Sequence, residues 1–462
     1  GILDAALHVA VTHPVDDDAR TALLAASAAD VLVEHPAADP TVLDEARRRA
    51  YASATLDRAL VRLVEPPLED ARTEPGRPDV TGFVDALVAE AVALRASDIH
   101  LEPDAHGVVV RLRIDGGLRE RARLPRRLAA PLTSRIKVTA RLDIAERRLP
   151  QDGRTLAEVD GEPIDVRVAT MPTWYGERVV LRLLPRDART TSLASLGMSG
   201  TTRTMLADAL ERPQGLVLVT GPTGSGKTTT LYAGLATLLD PTRSVLTLED
   251  PIEMALEGAA QTQIEPRIGL TFATGLRHAL RHDPDVLLVG EVRDRETAAL
   301  AVEAAHTGHL VLATMHAVDA PSALARLIDL GAERTLLAPT LTAVVAQRLL
   351  RRVCARCAVA EHPSAALLAR LGLAALPDGA TPRRGTGCVA CEGSGVLGRT
   401  VVDEVLAPDA STRAALMRPD AGTDLEGIVR AARPHALRDD ALRRALAGEV
   451  RLVEALRATP DP

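Results

Sequence analysis

Residues 221–228 read Gly-Pro-Thr-Gly-Ser-Gly-Lys-Thr and fill every fixed position of the pattern G-x-x-x-x-G-K-[ST]. Glycines let successive backbone N–H groups wrap an anion, and a helix N-terminus adds partial positive charge. Gly221, Pro222, Thr223, Gly224, Ser225, Gly226, Lys227, Thr228 and Thr229 are therefore expected around the phosphates of a nucleotide. Lys227 would reach the β- and γ-phosphates, and the Thr228 hydroxyl would take Mg2+. Downstream, two apolar runs end in acids: Leu246-Thr-Leu-Glu249-Asp250-Pro-Ile-Glu253, and Asp285-Val-Leu-Leu-Val-Gly-Glu291. Carboxylates at the end of such strands can hold a metal through water and orient an attacking water. His309 and His316 flank a further apolar run, where an imidazole can donate to phosphate or report its presence.

The four cysteines carry a different chemistry. Cys354-x-x-Cys357 and Cys388-x-x-Cys391 have the spacing of a tetrahedral Zn(Cys)4 centre, in which four protein ligands leave no open position for catalysis. Two disulfides or a pair of redox CxxC motifs are the competing readings, and a cytoplasmic setting disfavours disulfides.

These residues need elements to position them. Gly215–Thr220 is an apolar β run that enters the phosphate loop, and 229–239 is a helical run that leaves it. Strand, glycine turn and helix repeat from about residue 200, which predicts an α/β domain with a mostly parallel sheet over 200–462. A zinc module over 350–400 is inserted in it, with a helix around Ala365–Leu371 between the cysteine pairs. Upstream, a helix opens at Thr81, and Val108, Val110, Leu112 and Ile114 alternate before an Asp115-Gly116 turn. A helix over about Arg126–Leu142, an alternating run at Ile164, Val166 and Val168, and a strand over 179–184 complete an α+β domain at 81–186. Residues 187–199 read as a linker. Residues 1–80 read as a helical region, with one helix over 41–63 and a Pro-rich linker over 65–78.

Composition excludes several classes. A net charge of −7 over 462 residues argues against a general nucleic-acid binder, and six aromatic residues leave few platforms for stacking bases. No uncharged apolar run reaches the ~18 residues of a membrane span. With no secretory signal read and few cysteines, a cytoplasmic protein is expected. Of 55 Lys plus Arg, only Lys137 and Lys227 are lysine. Codon bias accounts for the arginines. A lysine that persists in this background suits a place where a compact ammonium is needed. Lys227 is such a place; Lys137 reads as a surface residue, with an interdomain contact as the alternative.

The set GPTGSGKTTTLYA, TLEDPIE, LRHDPDVLLVGEVRD and TGHLVLATMHA, in that order, resembles the type II secretion and type IV pilus assembly ATPases, the GspE/PilB family. ASDIHLEP, RLRIDG, SRIKV, LDIAERRLPQDGR and GERVVLRL resemble that family's N2 domain, so the likeness spans roughly 81–410. The resemblance implies a RecA-like ATPase domain behind an α+β domain, and a cytoplasmic homo-hexamer at the inner face of the membrane that docks on inner-membrane platform proteins. It implies ATP, Mg2+ and Zn2+ as cofactors, while the net charge of −7 argues against direct contact with nucleic acid. By position it implies Glu249 as the water-activating residue, Glu291 at Mg2+ or water, and His316, with His309 second, as sensors of the γ-phosphate. Arginines of the N2 domain would reach nucleotide across subunits, and Arg135, Arg148 and Arg154 match motif positions for that role. The expected function is a motor for type II secretion or pilus assembly. A nucleotide-regulated scaffold with little turnover and the motor of a DNA-uptake pilus are the alternatives.

Overall fold

The computed structural model describes residues 2–3, 6–11, 31–36, 40–64, 78–185, 192–417 and 425–458. They fall into two compact units, Gly1–Arg186 and Asp187–Pro462.

The first unit begins with strands β1 (Ile2–Leu3), β2 (Ala6–Val11) and β3 (Val31–Pro36), followed by helix α1 (Pro40–Val64). The three strands form one small sheet, where the sequence suggests only helix. Both longer strands carry valines, Val9 and Val11 in one and Val31 and Val33 in the other, which favour a pleated backbone, in stretches too short to show a period. The Pro-rich stretch at 65–77 lies outside the described residues.

Helix α2 (Val80–Ala93) is capped by Asp79, whose side chain accepts from the Gly82 N–H. After it come β4 (Ala96–Pro103), β5 (Gly107–Ile114), β6 (Gly117–Pro125), α3 (Ala129–Thr139), β7 (Gln151–Val159), β8 (Glu162–Thr173) and β9 (Gly176–Pro185). The six strands make an antiparallel sheet in the order β6-β5-β4-β9-β8-β7. One face buries Ile99, Leu101, Val110, Leu112, Val166 and Leu181 together with Phe83, Leu132 and Ile136 from the helices. Each such side chain contributes about 1.5–3 kcal/mol. On β4, Asp98 belongs to the alternate set and pairs with Arg182 at 2.9 Å. Strand β7 has no apolar alternation clear enough to read from sequence.

Lys137 corrects the sequence expectation. It is 1% exposed, its Nζ lies 2.5 Å from Glu177 Oε1, and it donates to the Glu146 carbonyl at 2.6 Å. Helical spacing places it beside Ile136, but its counter-ion stands forty residues away on β9, so no local pattern could show that the charge is compensated.

The second unit carries α4 (Gly200–Leu210), β10 (Gly215–Thr220), α5 (Lys227–Ala236), β11 (Val245–Glu249), β12 (Ala260–Gln263), α6 (Phe272–Ala279), β13 (Val286–Val289), α7 (Arg295–His306) and β14 (Leu310–Met315). Then come α8 (Ala320–Asp329), α9 (Arg334–Thr340), β15 (Leu341–Val353) and, after the cysteine module, β18 (Val396–Leu406). The sheet order is β12-β11-β13-β14-β10-β15-β18, parallel throughout except for the last pair. This is the mostly parallel α/β sheet that the sequence predicts. Its strands are apolar on both faces because helices cover both. Leu276, Val302 and Leu324 pack on one side, and Leu206, Leu231 and Leu235 on the other. Of the expected linker, 187–191 lies outside the described residues, and Leu193–Leu196 forms a single 3-10 turn.

Candidate active site

Parallel strands put their C-terminal ends along one edge, and ligands bind in the crevice there. Thr220 pairs with Met315, and Val289 with Ala313, so the residues just past β10, β13 and β14 come out side by side. These are Gly221, Glu291 and His316.

The phosphate loop joins β10 to the N-terminus of α5. Gly221 has φ 148°, and a Cβ on it would come within 2.4 Å of the Gln347 carbonyl oxygen. Gly226 caps the helix at φ 90°, in the left-handed region. Neither position tolerates a side chain, which leaves backbone N–H groups as the lining. The Ser225 hydroxyl is buried there with no hydrogen-bond partner among the described residues. The donor set, the helix terminus and that orphaned hydroxyl fit a phosphate ligand. Lys227 Nζ donates to the carbonyls of Gly221 (2.9 Å) and Pro222 (3.0 Å). Burial lowers its pKa most, while the charges of Glu291 and Glu253 act to raise it. Thr228 is half-buried on the first helical turn, and Pro222, Thr223, Gly224 and Thr229 are exposed.

Glu291 and His316 come together. His316 Nε2 lies 3.3 Å from Glu291 Oε1, and its Nδ1 lies 3.1 Å from the Gly221 carbonyl. Both partners are acceptors, so both contacts are hydrogen bonds at once only when both ring nitrogens carry a proton. Arg293 holds the other Glu291 oxygen at 2.6 Å. The Val292 N–H donates to the Thr314 carbonyl at 2.9 Å and ties this loop to β14.

His309 stands apart. It precedes β14 and rests on the Ala304 carbonyl at 2.8 Å. Six strand residues, about 20 Å, separate it from His316. Strand direction therefore removes His309 from the phosphate edge.

Glu249 is 3% exposed. Its Oε1 accepts from Thr247 (2.6 Å) and Gln261 (3.0 Å), and its Oε2 accepts from the Tyr232 hydroxyl. Burial and this carboxylate push the Tyr232 phenol upward. Both oxygens of Glu249 thus accept from protein donors, and the carboxylate is buried behind them. Glu253, four residues on, is exposed, and its charge reaches Lys227.

Sequence reasoning missed Gln347 and Tyr232. Gln347, 1% exposed on β15, donates to the Ser225 carbonyl at 2.8 Å and accepts from Thr230 at 2.9 Å. The signal was a lone amide closing the apolar run 343–346. For Tyr232 the signal was one of three tyrosines, on the helix after the phosphate loop.

The four cysteines converge between β15 and β18, on either side of β16 (Ala358–Ala360), α10 (Ala365–Leu371) and β17 (Arg383–Gly385). Their sulfurs all lie within 4.8 Å of one another. The separations Cys354–Cys388, Cys357–Cys391 and Cys388–Cys391 are 3.8, 3.8 and 3.7 Å. A Zn–S bond of about 2.3 Å in a tetrahedron gives edges of about 3.8 Å, whereas a disulfide needs about 2.05 Å. All four thiols are free. Burial raises the Cys354 thiol; for Cys391 burial is outweighed by the N–H groups of Cys388 and Gly395 on its sulfur, each at 3.2 Å, and the thiol is lowered. The cluster has metal-binding geometry.

The profile of the Type II/IV secretion system proteins matches residues 74–457, the greater part of the chain. The chain belongs to that family. It is 46% identical to Type II secretion system protein E of Pseudomonas aeruginosa over 88% of this chain and 81% of that protein. It is 44% identical to Type II secretion system ATPase E of Vibrio cholerae over 82% of this chain and 75% of that one. The crystal structure of the pilus retraction motor PilT with bound ADP superposes with a TM-score of 0.55 at 26% identity, over 82% of this chain and 97% of that chain. Family and fold make this chain a secretion ATPase with a RecA-like second unit.

In this ATPase the three arginines of the first unit differ in setting. The Arg135 Nε is buried without a hydrogen-bond partner among the described residues. Arg148 is exposed and paired to Glu146 at 2.9 Å. Arg154 is exposed on β7, opposite Arg167. No described helix is long and apolar enough to cross a membrane.

Proposed function

We propose that the chain is a Mg2+-dependent ATP-hydrolysing motor that works as a homo-hexamer and powers type II secretion or the assembly of a pilus or pseudopilus. The observation that carries the reading is the convergence of Lys227, Glu291 and His316 on one sheet edge, in a chain 46% identical to a type II secretion system protein E.

Lys227 turns from the loop carbonyls to the β- and γ-phosphates, with the backbone N–H groups of 221–228 around them. Thr228 and Glu291 would hold Mg2+, directly or through water, and a bound ion would supply charge neutralisation to the phosphates. Glu253 takes the role first assigned to Glu249: it orients the attacking water and accepts its proton. What supports this is exposure: Glu249 is 3% exposed, whereas Glu253 is at the surface and its charge reaches Lys227. His316 donates to the γ-phosphate and carries its state to Glu291. Arg135, Arg148 and Arg154 are the candidates to neutralise phosphoryl charge on a neighbouring copy. Cys354, Cys357, Cys388 and Cys391 hold one structural Zn2+. The protein works at the inner face of the cell membrane, docked on platform proteins of the machine it drives.

Phosphate release by Lys227→Ala tests the core of this reading. Turnover should fall to background, and unchanged turnover would sink it. Light scattering with a non-hydrolysable ATP analogue tests the ring: a monomer with and without the analogue removes the trans arginines.

A further inference from the structure

Lys137 is the one lysine outside the phosphate loop, and it is fully buried in a chain that otherwise uses arginine. Three segments meet on its ammonium. Helix α3 carries it, Glu177 at the start of β9 lies 2.5 Å away, and the Glu146 carbonyl accepts from it at 2.6 Å. Gln151 closes the same loop: its Nε2 donates to the carbonyls of Asp143 and Glu146, each at 3.0 Å, and its Oε1 accepts from the Asp143 N–H at 2.8 Å.

Glu146 is held at its carbonyl and itself holds Arg148. Its carboxylate accepts from the Arg148 backbone N–H at 2.6 Å and from the guanidinium at 3.2 and 2.9 Å. Arg148 is 88% exposed. A line of contacts therefore runs from a buried ammonium through Glu146 to an exposed guanidinium. Arg154 is exposed near the start of β7, and Gly153 just before it packs so closely that a Cβ would come 2.8 Å from the Ala140 carbonyl. Both arginines are thus referenced to the end of α3. A compact ammonium on a flexible stem fits this enclosure, and a planar guanidinium of larger span does not.

We propose that Lys137 is a positioning residue for ATP hydrolysis: it fixes the Asp143–Arg154 segment so that Arg148 and Arg154 are presented in a set geometry to nucleotide on a second copy of the chain. This rests on the reading above that arginines of this unit act in trans.

The test uses the full-length protein. Lys137→Met leaves Glu177 buried without a counter-charge and can cost the fold, so the deciding variant is Lys137→Met with Glu177→Gln, which removes both charges. It should lower kcat about a hundredfold and leave KM for ATP within about threefold. Hydrogen exchange at 143–154 should accelerate while the melting temperature stays close to wild type. Glu177→Gln alone keeps the donor to the Glu146 carbonyl but leaves the ammonium buried without a counter-charge, so it should lower the melting temperature while kcat of the folded enzyme stays within about threefold. Lys137→Arg should behave like the double variant. Wild-type kcat in the double variant overturns the proposal, as does a slow enzyme whose 143–154 exchange is unchanged. If Arg148→Ala and Arg154→Ala lower kcat while the double variant keeps it, the proposal falls and the trans-arginine reading stands; if both arginine variants keep kcat, the trans reading of these two arginines falls and the proposal falls with it.

Discussion

His316 joins Glu291 to the phosphate loop: one ring nitrogen lies 3.3 Å from the Glu291 carboxylate and the other 3.1 Å from the Gly221 carbonyl. Strand order makes this possible. β14 sits between β13 and β10, so a residue at its C-terminal end can touch the loops that leave both neighbours. A change at either partner reaches the other through one imidazole, which suits a group that must report whether the γ-phosphate is present.

Removing that imidazole should uncouple binding from hydrolysis. His316→Ala is expected to lower kcat by about 10²–10³, the cost of one preorganised donor, with a smaller change in KM. His309→Ala, at the far edge of the sheet, should stay within about threefold of wild type. Steady-state phosphate release on both variants decides it, and an equal loss in the two would show that strand direction is the wrong guide.

The two glutamates of the 246–253 segment should separate by assay. Glu253→Gln is expected to bind nucleotide and lose about 10²–10⁴ in turnover, because the water loses its base. Glu249→Gln replaces an all-acceptor carboxylate by an amide that aims a donor at Tyr232, Thr247 or Gln261. That mismatch should cost about 1–3 kcal/mol of stability. Fluorescent-nucleotide binding, turnover and thermal melting of both variants distinguish a base from a structural acid. A stable, inactive Glu249→Gln beside an active Glu253→Gln would return the role to Glu249.

How much the sequence could reveal depends on how local each constraint is. The phosphate loop was legible because its requirements, a backbone free of side chains and one cation, sit in eight consecutive residues. The cysteine pairs were legible for the same reason, and so was the alternation that folds β5 and β8. Lys137 was not, because its meaning depends on Glu177 across the fold. Glu249 and Glu253 look alike in sequence, and only the packing of Tyr232 and Gln261 seals one of them. His309 and His316 bracket the same strand, and their difference is the direction in which the chain runs through it. The N-terminal strands were missed because two runs of six residues carry no period that outweighs their alanine-rich surroundings.

A pH signature is expected from the second unit. His435 is raised above its ordinary value chiefly by its hydrogen bond to Asp403. Burial pushes the Asp403 carboxyl up, but His435, Thr202 and Ser199 outweigh it and hold the carboxyl low. A histidine raised in the folded state stabilises fully below its unfolded value near 6.5, and that contribution is lost as pH rises through the folded value. The imidazole is partly exposed, so the effect is discounted to no more than about 1 kcal/mol. Between about pH 6 and about pH 9, wild type should lose about 2 °C of melting temperature relative to His435→Asn. Parallel curves for the two proteins would deny the pair any role.

The cysteine cluster should act on stability and leave nucleotide binding nearly intact. Cys354 directly follows β15, and its N–H donates to the Gly395 carbonyl at 3.0 Å, just before β18 begins. A metal here clamps the outer end of the β15–β18 ladder. The inner end carries Gln347, which holds Ser225 in the phosphate loop, seven strand residues or about 23 Å away. Just before Gln347 on the same strand, Val344, Val345 and Ala346 are fully buried and hold that end of β15 without help from the metal. Elemental analysis should find about one zinc per chain, bound by four thiolates. Cys391→Ser should lose the metal and lower the melting temperature by several degrees, while ATP affinity stays within about threefold. Wild-type protein free of zinc and carrying two disulfides would refute the cluster, and a large loss of ATP affinity in Cys391→Ser would show that the outer end of the ladder governs the phosphate loop after all.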